Sequence, residues 1–83
     1  MWWAQWVVWD CPGPRDRGTL RRVADGGFNV VPYVGAMTAM ARFLSLRLSY
    51  PGRRVVMEVL DDADVQRHVW MNTVVCPSYP ASP

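Results

Sequence analysis

Residues 35–49 read GAMTAMARFLSLRLS, and the fold turns on this stretch. Met37, Met40, Ala41, Leu44 and Leu48 recur at helical spacing, with Thr38, Arg42, Ser45 and Ser49 on a polar stripe. That is the pattern of an amphipathic helix. Ala36, Ala39, Phe43 and Leu46 widen the apolar arc well beyond a half-buried face. Pro51-Gly52 then stops the helix, since proline cannot continue it and glycine accepts the turn that leaves it. A helix this apolar belongs at the centre of the core. Burying Phe43, Leu44 and Leu48 should contribute about 5–8 kcal/mol before ordering entropy is charged.

Strands are expected on both sides. Downstream, Arg53–Leu60 alternates, with Val55, Met57 and Val59 opposite Val56 and Leu60, and Asp61-Asp62-Ala63-Asp64 makes a turn. Val65–Val75 returns, with Val65, Val69, Met71 and Val75 on one face and His68, Trp70 and Asn72 on the other. Upstream, Thr19–Ala24 and Phe28–Val31 are β-prone runs around Asp25-Gly26-Gly27, which reads as a hairpin because Asp-Gly suits the positive φ of a type I′ turn. Pro32 cannot donate to a ladder and ends the second run. Cys11 to Gly18, with two prolines and two glycines, is a loop. Trp2–Trp9 is rich in Trp and Val and apolar on both faces, a central strand.

The economical architecture is one α+β domain over residues 1–76, followed by a Pro/Ser-rich tail over 77–83. Its element order is β-β-β-α-β-β, a mostly antiparallel sheet of four or five strands with one helix on one face. The opposite face then has no internal cover. If it carries Trp3, Trp9 or Trp70, it shows more apolar surface than a monomer should.

Composition narrows the class. The chain has 83 residues, 51% of them hydrophobic, and five Trp, which suits a small folded domain rather than a disordered chain. All nine basic residues are Arg, with no Lys and no Ile. That bias points to a GC-rich bacterial genome or one of its phages. Eight of the Arg fall between Pro12 and Arg54, against Asp16 and Asp25, while Glu58 to Asp64 holds four carboxylates and no basic residue. The net charge of +2 is low for a dedicated nucleic-acid binder. The apolar run Met1–Trp9 has no basic flank or cleavage site and is too short to span a bilayer. A soluble protein of the bacterial cytoplasm is expected, with Cys11 and Cys76 as reduced thiols. A bridge stays open if the first and last strands pair.

Catalysis finds little support. His68 with Cys11 or Cys76 would need a thiol within reach and a group to orient the imidazole, and no local signature supplies them. Two distant Cys and one His make no zinc site. Asp61, Asp62 and Asp64 lack the spacing and closing Glu of a calcium loop. Gly26-Gly27 has no Walker Lys and opens no helix. The expectation is therefore no enzyme, no catalytic residue, no metal and no cofactor. Partner binding is assigned to Arg15, Arg17, Arg21, Arg22, Trp3, Trp9 and Trp70, because Trp and Arg dominate protein–protein hot spots. The same Arg could instead grip phosphates while Trp or Phe28 stacks on bases.

A compact chain with a first strand, one mid-chain amphipathic helix (Ala36–Leu48) and the closing strands Arg53–Leu60 and Gln66–Val75 resembles small phage-encoded inhibitors, anti-CRISPR proteins among them, over about two-thirds of its length. The resemblance implies a non-enzymatic inhibitor that occupies a surface of a CRISPR effector, often its nucleic-acid-binding face. It assigns no residue roles. The alternative is a small nucleic-acid-binding module using the Arg15–Arg22 segment. Oligomeric state is left open, a dimer included.

Overall fold

The computed structural model describes residues 1–15 and 18–77. Strand β1 is Trp2–Asp10, β2 is Arg21–Val30, helix α1 is Gly35–Ser49, β3 is Arg54–Leu60 and β4 is Gln66–Met71. They form one antiparallel sheet in the order β2-β1-β3-β4, with α1 carrying the chain from β2 past β1 to β3. The domain is α+β, as the periodicity requires, and Trp2–Trp9 is central as its two apolar faces imply.

The expected hairpin in the first half is not there. Thr19–Ala24 and Phe28–Val31 merge into the single strand β2, and Asp25, Gly26 and Gly27 pair with Val7, Trp6 and Gln5 of β1. The two glycines serve the indoles opposite them. A Cβ on Gly26 would stand 2.6 Å from Cζ2 of Trp6, and one on Gly27 would overlap the ring of Trp3. Neither glycine takes a positive φ, so a turn was never their conformation. Aromatic cover of a strand glycine makes up for its missing side chain.

The core lies between α1 and one face of the sheet. Ala4 and Val8 of β1 and Val55, Met57 and Val59 of β3 are wholly buried there, with Val30 of β2. The helix answers with Gly35, Ala39, Phe43 and Leu46, spaced four, four and three residues apart along one stripe. A side chain at Gly35 would press on Val30, so the small residues bring the helix backbone close to the sheet. The stripe read from the sequence as the core face points outward instead. Met37 and Leu48 are 69% and 84% exposed, and Met40 and Leu44 are exposed as well. Of the three side chains given the burial energy, only Phe43 is buried. Apolar residues cover nearly the whole helix, and close approach selects the side with Gly and Ala.

Strand β4 stops at Met71, short of the expected Val75, because Asn72 takes over the ladder. Its Oδ1 accepts from the Val55 N–H at 2.7 Å, and its Nδ2 donates to the Arg53 carbonyl at 2.8 Å. The chain then crosses past the start of β3 toward β1, where Cys76 is bonded to Cys11 with Cα atoms 5.5 Å apart. The expectation of two reduced thiols is thereby corrected. The strands carrying them do not pair, since β3 lies between; the bridge joins the segments beyond their ends.

Candidate interaction faces

Alternation along β1 and β3 sends Trp3, Gln5, Val7 and Trp9, and Arg54, Val56, Glu58 and Leu60, to the face away from α1. No element of the described chain covers this face. Its middle row is Val7, Val56 and Met71, in register across three strands. Met71 is 57% exposed and Trp3 41%. Beside that row, Gln5 and Gln66 both donate to Glu58, the second at 2.8 Å, a polar line across β1, β3 and β4. At the far end Trp9 is paired with Arg22 on one side and Arg54 on the other. A groove of about 360 Å³ runs over Gln5 and Val7 between Trp3, Asp25 and Glu58.

The expected partner residues therefore divide. Trp3 and Trp9 share the open face, with Arg22 at its edge. Trp70 does not join them: it lies opposite Met57, on the helix side, and stacks on His68 with ring centroids 5.7 Å apart. Alternation from Met57, which is wholly buried, fixes that side. Arg21 is paired with Asp10 at 3.3 Å and Arg22 with Asp25 at 3.4 Å, while Arg53 reaches Asp10 at 3.7 Å. Arg15 is exposed in the loop after β1, and Arg17 lies outside the described residues.

A second apolar surface is the outer stripe of α1, where Met37, Met40, Leu44 and Leu48 face solvent. Arg42 lies over the Phe28 ring at 5.0 Å and Arg47 over Phe43 at 5.8 Å. Arg47 also lies beside Leu44 and Leu48, which sets a positive charge next to the stripe, and α1 contains no acidic residue. Sequence reasoning found these side chains but assigned them to the core. Gln5, Val7, Val56, Glu58 and Met71 were missed as surface, although their period-two positions were legible.

The groups considered for catalysis are engaged elsewhere. Each cysteine sulfur is bonded to the other, so neither is a nucleophile for His68. Asp61 organises the β3–β4 turn. Its carboxylate accepts from the N–H groups of Val65 and Ala63 and from Arg67 Nε at 2.7 Å. The Val65 N–H foremost, then Ala63 and Arg67, hold its pKa below the usual carboxylate value against some desolvation. Among the described residues no three His, Cys, Asp or Glu side chains gather to hold a metal, and no helix is long and apolar enough to cross a membrane. No protein-family model matches this chain, and no curated protein or solved structure matches it.

Proposed function

We propose that this chain is a non-enzymatic binding protein that acts by covering a surface of a macromolecular partner. The observation that supports it best is the outer stripe of α1, where four large apolar side chains stay exposed and Arg47 lies beside Leu44 and Leu48. A partner offering an apolar groove with an acidic rim would fit it, as grooves fit amphipathic helices elsewhere. The narrower reading is an inhibitor from a phage or mobile element, acting in the bacterial cytoplasm on a host nucleic-acid-binding assembly, a CRISPR effector foremost. It rests on the resemblance in element order. In that reducing compartment the Cys11–Cys76 bridge would have to persist or be dispensable.

The test uses purified protein and the double variant Leu44→Glu/Leu48→Glu, both positions exposed. Wild type should recover one defined complex from bacterial lysate and the variant should not. Equal recovery by both would remove the helix stripe as the binding surface. Titration into a panel of purified CRISPR effectors tests the narrower reading, and undiminished cleavage by all of them would end it.

A second reading has one observation in its favour. Trp9 is the cross-strand neighbour of Arg22 and of Arg54, so one aromatic and two cationic residues stand in one row, the residue types single-strand binders use. Affinity for single-stranded DNA or RNA should then fall steeply with salt. A flat salt response would dismiss it.

A further inference from the structure

We propose that the open sheet face is the interface of a homodimer, two copies packed face to face about a two-fold axis through the Val7–Val56 row. The argument begins with two charges on β3. Arg54 and Glu58 stand on this face two positions either side of Val56. Among the described residues Arg54 forms no ion pair, and Glu58 is held by two neutral amides rather than a cation. A two-fold axis at Val56 and perpendicular to the strands carries Arg54 of one copy onto Glu58 of the other, twice. The same operation lays the row Val7, Val56 and Met71 on itself, and Trp9 over Gln5 of the second copy. One strand thus carries a cation and an anion symmetrically about an apolar centre, which is what an isologous interface requires. Asp25 approaches its own image at the sheet edge, where its ion pair with Arg22 tempers the repulsion.

Area sets the strength. Four strands spaced about 4.8 Å apart, over about seven residues of 3.4 Å rise, give a face of about 19 by 24 Å. Two copies would bury roughly 900 Å², the size of a weak, transient interface rather than a permanent one. The dimer is therefore weak and dissociates on dilution. It lies on the side of the sheet away from the outer helix stripe, so dimerisation and capture of a heterologous partner stand or fall separately.

Sedimentation equilibrium on the full chain, from micromolar to millimolar concentration, tests it. Wild type should pass from monomer to dimer. Arg54→Glu alone and Glu58→Arg alone each place like charges together and should weaken association roughly tenfold or more. An equimolar mixture of the two should associate again as a heterodimer, because every cross-pair is then opposite in charge. Val56→Arg, which puts two cations at the axis, should be monomeric and serves if Glu58→Arg does not fold. Wild type monomeric throughout overturns the proposal. So does undiminished association of Arg54→Glu or Val56→Arg, or failure of the mixture when circular dichroism shows both single variants folded.

Discussion

Replacing Cys11 and Cys76 with serine opens a covalent loop between residues 65 apart in sequence. In the chain-entropy account a loop of that size restricts the unfolded ensemble by about 14 cal/mol/K, or about 4 kcal/mol at 25 °C. The folded state loses little in compensation, because the Asn72 side chain still holds the returning segment to β3. A domain of this length has about 4–12 kcal/mol of stability in all, so the bridge supplies a large share. The melting temperature should fall by roughly 15–30 °C. Urea unfolding, followed by tryptophan emission, should show a lower midpoint and a steeper m-value, since the uncrosslinked chain exposes more surface. A melting temperature within a degree or two of the bridged wild type would refute the reasoning. So would quantitative alkylation of both cysteines in oxidised, folded protein.

Gly27→Val should destabilise by about 1–3 kcal/mol, because its side chain would occupy the space of the Trp3 indole; adding Trp3→Ala should recover part of the loss, and strict additivity in chemical denaturation would count against the contact. Asn72→Ala should cost about 1–3 kcal/mol by leaving the Val55 N–H and the Arg53 carbonyl without their partner, measured the same way. Asp61 titrates lower in the folded chain than in the unfolded one, so its contribution is present above the ordinary carboxylate pKa of about 3.9 and is lost as pH falls toward the lower folded value. Melting temperatures of Asp61→Asn should accordingly depend less on pH below about 4 than those of wild type, and parallel curves would contradict this.

Helix α1 was legible to the residue at both ends, because Pro51-Gly52 marks its exit and its apolar density leaves no other reading. Its orientation was not. When Met37, Leu44 and Leu48 compete with Ala39, Phe43 and Leu46, hydrophobicity favours neither stripe, and the decision falls to how closely Gly35 lets the backbone approach Val30. Asp25-Gly26-Gly27 misled for a related reason. Local propensity read a turn, whereas the glycines are set by indoles twenty or more residues earlier in the chain, contacts no local window contains. The open sheet face was anticipated through Trp3 and Trp9, but Trp70 was assigned to it although β4 register places that ring with the helix. The bridge was weighed only as a consequence of the first and last strands pairing, which they do not do; the turn taken after Asn72 is what brings Cys76 to Cys11.

Along fifteen residues of α1, side chains consumed by folding alternate with others that folding ignores. Ala39, Phe43 and Leu46 are fixed by what lies beneath them, while Met37 and Leu48 stand mostly in solvent and Met40 and Leu44 turn about half their surface outward. Specificity for an outside molecule could therefore drift freely, one surface codon at a time, without endangering the scaffold that displays it.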